Sequence, residues 1–321
     1  MCKLVSVIIP TYKGVMGLER AINSVLGQTY SNIEIIVVDD NGFGTSAQIE
    51  TQKIIEKFGG KIKYIVHEQN KNGAAARNSG LRHCLGHYVC FLDDDDVMLP
   101  RRISCCVKKL ENNLKYDAVF VNVLCTDEKL VPTRVIEIEK DGNCYKDVLL
   151  NSMFFGSGSN LFLRKHAIDK IGFFDEKFLR HQDLEYMLRF YQLFLSTHIS
   201  EILLIKAKNG TNNIPEYAKL KKVKEQYAEK FANEINSLSN EEKSRFDYIS
   251  KKELAYSKNA PANLKRNLNL DYKERIMLWI LNGKLKSTYL FNFVNCIRKR
   301  VLGYKLRKSL SAEVIEFIIS R

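Results

Sequence analysis

Short apolar runs separated by polar turn residues dominate the first hundred positions of the chain. Four of these runs are rich in valine and isoleucine, as buried strands are, and they cover residues 4–9, 33–38, 62–66 and 88–92. Between them, apolar residues recur with helical spacing near residues 18–26, 49–58 and 75–85. The alternation of strand and helix predicts right-handed crossovers and a mostly parallel sheet covered on both faces.

The pattern changes near residue 117. Residues 118–124 and 135–138 predict two strands joined by a polar loop, and residues 183–195 return to helical spacing. Past Lys206 the chain is rich in lysine and asparagine and has helical spacing without strand alternation. We therefore expect a helical region after a soft boundary near residues 206–215.

The net charge of +13 belongs to one part of the chain. Residues 206–321 contain 25 basic and 12 acidic residues, whereas residues 1–205 contain equal numbers of each. A hydrophobic fraction of 45% excludes a chain that is disordered throughout, and a length of 321 residues favours about two domains. The sequence therefore predicts a neutral domain and a basic one.

The eight cysteines show no Cys-x-x-Cys spacing, which favours reduced thiols in a cytosol over a disulfide framework or a zinc site. No stretch approaches the ~18 uninterrupted apolar residues of a membrane span, so we expect no membrane-spanning helix. The apolar segment at the N-terminus ends at Pro10 and Thr11 without a cleavage signature. It is interpreted as a first strand and not as a signal peptide.

Carboxylates follow two of the predicted strands. Asp39 and Asp40 end the second strand, and residues 93–96 are four aspartates that follow the fourth. Ligands bind beyond the carboxyl ends of strands in an open parallel sheet. Six carboxylates at this edge would repel one another, so we expect a hard divalent cation, Mg²⁺ or Mn²⁺, among them. The alternative is a solvated acidic turn.

Five segments resemble family 2 glycosyltransferases of the GT-A fold. They are residues 5–12 (VSVIIPTY), 21–30 (AINSVLGQTY), 33–40 (IEIIVVDD), 73–80 (GAAARNSG) and 91–100 (FLDDDDVMLP). The resemblance covers roughly residues 4–205. It implies an α/β fold with a Rossmann-like, mostly parallel sheet flanked by helices. It also implies transfer of a sugar from a nucleotide diphosphate donor with inversion, using Mn²⁺ or Mg²⁺ held at an Asp-x-Asp motif.

The same resemblance implies a donor site. Pro10, Thr11 and Tyr12 would flank the nucleotide base and ribose, Asp39 would accept from a ring N–H of uracil, and Arg77 would lie near the donor phosphates. Each has a structural alternative when taken alone. Tyr12 could be a packing aromatic and Arg77 a charge on a helix surface. The neighbouring Asp40 could instead cap the turn into the second helix.

The Asp-x-Asp pair corresponds to Asp93 and Asp95. We expect Asp95 to bind the metal directly and Asp93 to reach it through ribose or water. Asp94, between them, is assigned to the donor site. The small-residue segment 156–159 (GSGS) resembles the part of the family that lies beneath the donor sugar and acceptor, although it could be an ordinary loop.

An inverting transfer is a single displacement, so a base must accept the proton of the attacking hydroxyl. In the family this base opens a helix in a Glu-Asp pair after a Phe-Asp-Glu turn. Here residues 174–176 (FDE) precede Gln182 and Asp183, so Asp183 corresponds to the base. Gln182 departs from the usual glutamate, and His181 adds a second titratable group. Asp183 could otherwise be a helix-start acid favoured by the helix dipole.

Residues 274–309 alternate apolar and aromatic groups with a cationic cluster. Trp279 and Phe293 are among the aromatics, and residues 298–300 are Arg-Lys-Arg. This composition is typical of helices that lie on an anionic membrane surface. A helical cap on the catalytic domain is the main alternative. A nucleic-acid surface is disfavoured because no recognised nucleic-acid motif accompanies the charge.

Together these observations predict an inverting, metal-dependent glycosyltransferase domain over residues 1–205. Its nucleotide-binding half would be about 1–100 and its acceptor half about 101–205, with a basic helical extension over 206–321. We expect a UDP-sugar donor and a glycan or lipid-linked glycan acceptor, in bacterial surface polysaccharide synthesis at the inner face of the cell membrane. No nucleic-acid partner is expected.

Two other functions were weighed against this one. A sugar-1-phosphate nucleotidyltransferase would need a glycine-rich, basic phosphate loop, which residues 5–13 lack. A non-catalytic basic adaptor that retains the fold is disfavoured by the presence of Asp93, Asp95 and Asp183.

Overall fold

The computed structural model describes residues 2–127, 130–151, 153, 155–207, 214–261 and 264. These residues divide into two compact units. The first contains described residues of 1–145 and 153–210, and the second those of 146–152 and 211–301. Residues 265–321, which include the predicted amphipathic segment 274–309, lie outside the described part of the chain.

Within the described residues, one sheet of nine strands forms the framework of the first unit. In chain order the strands are β1 Val5–Thr11, β2 Ile33–Asp39, β3 Ile62–Val66, β4 Tyr88–Phe91, β5 Val97–Met98, β6 Ala118–Thr126, β7 Pro132–Ile136, β8 Phe162–Arg164 and β9 Ser196–Ala207. Their spatial order is β3-β2-β1-β4-β8-β6-β9-β5, with β7 paired to β6.

Helices connect these strands and continue the chain beyond them. They are α1 Val15–Leu26, α2 Ser46–Glu56, α3 Gly73–His83, α4 Arg102–Glu111, α5 Tyr145–Leu149, α6 Lys165–Ile171, α7 Gln182–Tyr191, α8 Tyr217–Lys230, α9 Ala232–Asn236 and α10 Asn240–Ala255. A short 3₁₀ turn covers Gly158–Asn160. In the second unit, α10 begins with a capping box in which Ser239 and Glu242 satisfy each other's backbone N–H groups.

The first half of the sheet is parallel, as the sequence predicts. Strand β1 pairs in parallel with β2 and β4, and β2 pairs in parallel with β3. The second half is mixed, because β8 runs antiparallel to both β4 and β6. Strand β9 pairs in parallel with β6, and β5 runs antiparallel to β9. The predicted α/β class, with a sheet flanked by helices, is confirmed.

Three strands, β5, β8 and β9, were not predicted. Strands β5 and β8 have only two and three residues, too few to show a period. Strand β9 shows no simple alternation, because it begins with two buried residues, is exposed at Ser200 and Glu201, and is buried again from Leu203. It ends at Ala207. Lys206 therefore lies in a strand, and the first helix described after the expected boundary at 206–215 begins at Tyr217. The predicted helix 183–195 is shorter, since α7 ends at Tyr191.

Helix α3 packs unusually close to β1. Ala74, Ala75 and Ala76 are buried, and a Cβ added to Gly80 would lie 2.4 Å from a methyl carbon of Ile8. Because small residues allow this approach, α3 places Arg77 near the carboxyl edge of the sheet.

No helix of the described residues is both long enough and apolar enough to span a membrane.

Candidate active site

A turn of four aspartates follows β4 at the carboxyl edge of the parallel strands. It covers residues 93–96, and the backbone N–H of Asp96 donates to the Asp93 carbonyl at 3.0 Å. Strand β2, which ends at Asp39, reaches the same edge, because β1 pairs in parallel with both strands. The ends of these strands therefore converge as predicted. The contacts of each aspartate side chain show which carboxylates lie in one site.

Three side chains of this turn, Asp93, Asp95 and Asp96, form the acidic cluster. One carboxylate oxygen of each lies within 4.8 Å of the others. Burial, followed by the charges of the neighbouring aspartates, raises the pKa of Asp95 to about 8. Burial also raises the pKa of Asp96 to about 6. Folding thus gathers carboxylates whose ionisation is unfavourable until a cation joins them.

Asp96 is the most deeply placed member of the acidic cluster. Its Oδ2 accepts from the hydroxyls of Ser159 at 2.6 Å and Ser157 at 3.3 Å. Its Oδ1 is buried and has no hydrogen-bond partner among the described residues. An orphaned buried oxygen beside two further carboxylates fits the hard oxygen ligation of Mg²⁺ or Mn²⁺. Sequence reasoning named Asp93 and Asp95, and the structure adds Asp96.

Asp94 points away from the acidic cluster toward the end of β1. Its Oδ2 accepts from the Thr11 hydroxyl at 2.6 Å and the Tyr12 backbone N–H at 3.4 Å. A Cβ added to Gly14 would lie 1.7 Å from that oxygen. Asp94 thus fixes the segment that follows Pro10. Tyr12 is 49% exposed, so it is not a core aromatic. The nucleotide contacts of Pro10, Thr11, Tyr12 and Asp94 stay predictions.

Arg77 joins the acidic cluster to helix α7. Its Nη2 donates to Asp93 Oδ1 at 2.6 Å, and its Nη1 donates to Gln182 Oε1 at 3.1 Å. The side chain is only 12% exposed, so the alternative of a surface charge is wrong. A Cβ added to Gly158 would lie 3.1 Å from Nη2. Gly158 therefore leaves room for the guanidinium, which would have to shift slightly if this residue carried a side chain.

Asp183 lies in the first turn of α7, next to the residue that binds Arg77. The helix starts after His181, whose φ of 60° places it in the left-handed region. Asp183 is partly exposed, and its Oδ1 accepts from the N–H of Leu184 at 3.0 Å. Its role as the base stays a prediction.

Asp39 is buried and already bonded within the chain. Its Oδ1 accepts from the backbone and side-chain N–H groups of Asn41 at 2.9 and 2.8 Å. Its Oδ2 accepts from the Tyr64 hydroxyl at 2.6 Å. Burial and then the hydrogen bond to Asp39 raise the pKa of Tyr64 well above its usual value. The uracil contact of Asp39 stays a prediction.

Asp40 holds the loop that precedes α3. Its two oxygens accept from or contact the His67 ring at 2.7 Å, the Asn70 side chain at 2.8 Å, and the backbone N–H groups of Lys71 at 2.8 Å and Asn72 at 3.0 Å. It does not cap the second helix, which has Thr45 at its N-cap. The expectation of six carboxylates around one cation is therefore wrong for Asp39 and Asp40, because these two residues bind other partners. The acidic cluster contains only Asp93, Asp95 and Asp96 among the described residues.

A family model described as "Glycosyl transferase family 2" matches residues 6–172, just over half of the chain. The chain belongs to glycosyl transferase family 2. The resemblance carried by the sequence motifs is thus confirmed.

Proteins named as glycosyltransferases in several bacteria are similar to this chain. An uncharacterized glycosyltransferase of Rickettsia felis is 32% identical over 216 residues, covering 64% of this chain and 34% of that protein. The chain therefore spans about a third of the length of this relative. A Campylobacter jejuni protein named GalNAc(5)-diNAcBac-PP-undecaprenol beta-1,3-glucosyltransferase is 32% identical over 174 residues, covering 53% of this chain and 55% of that protein.

Solved structures support the fold. The S. aureus TarS fragment 1–349 in complex with UDP-GlcNAc has a TM-score of 0.54 at 16% identity, covering 96% of this chain and 93% of that one. The mannosyltransferase PcManGT from Pyrobaculum calidifontis, in complex with GDP-Man and Mn²⁺, has a TM-score of 0.53 at 16% identity, covering 93% and 84%. At this identity the likeness concerns the fold alone.

Proposed function

We propose that this chain carries an inverting glycosyltransferase activity that moves a sugar from a nucleotide diphosphate donor to a hydroxyl of an acceptor glycan. The observation that carries the proposal is the double contact of Arg77 with Asp93 and Gln182. One guanidinium joins the acidic cluster, suited to a metal and a diphosphate, to the start of the helix that bears Asp183. A metal and donor region and a candidate base thus belong to one site.

The chemistry assigned to these residues is one displacement. The acceptor hydroxyl oxygen forms a bond to the anomeric carbon while the bond from that carbon to the donor diphosphate breaks. Asp183 accepts the hydroxyl proton, and the nucleoside diphosphate leaves with the bonding electron pair. A divalent ion held by Asp93, Asp95 and Asp96 would stabilise charge on the leaving diphosphate. Arg77 orients the donor phosphates at the same edge.

We further propose a UDP-sugar as the donor. Structures with this fold are solved with either nucleotide, the TarS fragment 1–349 with UDP-GlcNAc and with UDP, and PcManGT with GDP-Man. An Escherichia coli relative, 34% identical over 114 residues, is named UDP-Glc:alpha-D-GlcNAc-diphosphoundecaprenol beta-1,3-glucosyltransferase; the match covers 35% of this chain and 44% of that one. The name of this relative supports a UDP-sugar, and it supports a lipid-linked glycan as the acceptor class.

The membrane part of the proposal rests on charge. The whole excess of +13 lies after residue 205, and residues 298–300 are consecutive cations. A basic segment with aromatic residues binds anionic surfaces electrostatically and by burial of its rings. We propose that it holds the enzyme at the cytoplasmic membrane face, where lipid-linked acceptors are extended.

The experiment that tests the proposed activity is a hydrolysis screen. Purified protein is incubated with a panel of nucleotide sugars in Mn²⁺, in Mg²⁺ and in excess EDTA, and release of nucleoside diphosphate is measured. We expect one UDP-sugar to be cleaved in the presence of metal. No cleavage of any donor would favour the non-catalytic adaptor, and full activity in EDTA would contradict the role of the acidic cluster.

A further inference from the structure

Lys206 is a cation at the edge of the acidic cluster that neither the sequence motifs nor the family resemblance assigns. It lies near the end of β9, where it pairs with Cys125 of β6. Its ammonium donates to the Gly156 carbonyl at 3.4 Å, a long hydrogen bond. Gly156 begins the small-residue segment whose two serine hydroxyls bind Asp96. Lys206 and Arg77 therefore approach this segment at two glycines, Gly156 and Gly158.

The charges around Lys206 come from both halves of the proposed site. Burial disfavours the ammonium form, yet the carboxylates of Asp96, Asp93, Asp95 and Asp183 outweigh burial and raise its pKa. Among the described residues none of these carboxylates comes within the 4.0 Å of an ion pair with Lys206. The carboxylates of the acidic cluster thus attract the ammonium, but it forms no direct ion pair with any one of them.

The other N–H donors of Lys206 have no partner among the residues that the structure describes. A partly buried ammonium loses hydration, and a long bond to one carbonyl replaces little of it. Lysine serves as a point-charge ligand for phosphates, because its three donors rotate to meet separate oxygens. A phosphate oxygen at this edge of the sheet would accept hydrogen bonds from the remaining N–H donors of Lys206.

We propose that Lys206 binds the diphosphate of the donor, together with Arg77, and stabilises it as it leaves. This inference rests on the proposed function, since it assigns a ligand within that site. A divalent ion among the three carboxylates would offset most of their charge, and the diphosphate would then become the main counter-charge of the ammonium. The two cations would then contact the diphosphate from the two glycines of one segment.

The test compares binding of UDP and of uridine by calorimetry in the presence of Mn²⁺. Lys206→Met should weaken UDP binding about 10- to 100-fold, as expected for one lost charge-assisted hydrogen bond, and should leave uridine binding unchanged. Lys206→Arg should restore most of the loss. Lys63→Met is the matched control, because Lys63 also donates to a backbone carbonyl, that of His83 at 3.2 Å, but at an exposed site on β3.

A second readout separates a diphosphate ligand from a purely structural cation. Binding of Mn²⁺ alone, measured by electron paramagnetic resonance, should be as tight or tighter in Lys206→Met, because a like charge has been removed. Equal losses for UDP and uridine, or unchanged UDP affinity, would overturn the assignment of Lys206 while leaving the proposed function standing. If the wild-type protein binds no nucleoside diphosphate, both the proposed function and this inference fail.

Discussion

Arg77 on α3 and Asp93 after β4 form an ion pair of 2.6 Å, and the other Nη of the same guanidinium reaches the first residue of α7. A planar guanidinium presents its donors at fixed, separated positions, whereas an ammonium carries all its donors on one atom. One arginine therefore links the acidic cluster directly to the helix of the candidate base.

Replacing Arg77 by lysine should keep the charge and lose the bridge. We expect Arg77→Lys to lower kcat/KM by about 10- to 100-fold, which corresponds to one lost charged hydrogen bond. Arg82→Lys is the matched control, because Arg82 lies on the same helix and is 50% exposed with a loose contact to Glu176. Equal effects of the two changes on donor hydrolysis would contradict the bridging role.

Asp183→Asn tests the assignment of the base. Loss of a positioned base costs ~10²–10⁴ in rate, so turnover should fall by that order while UDP affinity is retained. Asp169→Asn, which removes an exposed acid from α6, serves as the control. If Asp183→Asn loses UDP affinity and keeps turnover, Asp183 belongs to the donor site, and His181 becomes the next base to test with His181→Gln.

The acidic cluster should make the metal-free protein less stable as pH rises. The pKa of Asp95 is about 8 in the folded state, so between about pH 4 and pH 8 the folded protein keeps the Asp95 proton and the unfolded chain has lost it. The stability of the folded state is therefore highest at the acid end of this window. We expect Asp95→Asn to raise Tm by a few degrees at pH 8 and to have little effect at pH 4.

Mn²⁺ provides the complementary measurement for the acidic cluster. It should raise the Tm of the wild-type protein more at pH 8 than at pH 4, because protons compete less for the carboxylates at the higher pH, and should do so much less for Asp95→Asn. A pH-independent difference between the two proteins, or an equal response to Mn²⁺, would show that Asp95 is not part of a coupled cation site.

Asp40 should matter for stability more than for chemistry. Asp40→Ala removes the partner of the buried His67 ring and of the partly buried backbone N–H groups of the loop before α3, at about 1–3 kcal/mol for each group left buried and unsatisfied. We expect the free energy of unfolding in urea to fall by at least about 2 kcal/mol. Ser79→Ala removes only the hydroxyl that contacts His67 Nε2 at 2.8 Å, and should cost less. A smaller loss for Asp40→Ala than for Ser79→Ala would refute this account.

The basic segment can be tested by charge reversal. Changing Arg298, Lys299 and Arg300 to Glu should remove several kcal/mol of attraction to anionic lipid, at ~1 kcal/mol per residue. Binding of the wild-type protein to anionic liposomes should weaken with salt but persist, since screening over ~8 Å does not affect buried rings. The triple variant should keep donor hydrolysis. Equal binding of the wild type to neutral and anionic liposomes would contradict the electrostatic role.

The parts of the fold that sequence predicted are those whose pattern is local. Strands β1, β2 and β4 are short, largely buried apolar runs, and β3 is a short run rich in isoleucine and valine, so composition alone identifies them without knowledge of their partners. Strand β9 pairs with β6 and β5, and its mixed burial makes sense only once those partners are known. The same distinction separates the site residues. A motif identifies Asp93 and Asp95, because only one residue separates them in the sequence.

The role of Asp96 could not be found in this way. Its partners Ser157 and Ser159 lie more than sixty positions later in the chain, and only the folded sheet brings the two segments together. Asp40 was ambiguous for the same reason, because its donors belong to a loop about thirty positions away. Composition alone marks the glycine and serine segment 156–159, but it does not show that the hydroxyls of Ser157 and Ser159 bind Asp96.

The pairing of β5 with β9 sets the order in which the acidic turn can be completed during synthesis. Val97 pairs with Ile205, and Leu99 donates its N–H to Leu203, so the turn at residues 93–96 is closed on one side by a strand made much later. Contacts between segments so distant in sequence form slowly. A nascent chain that has emerged only as far as β5 therefore contains the four aspartates but not the strand that pairs beside them. The acidic turn is completed only after β9 has been synthesised.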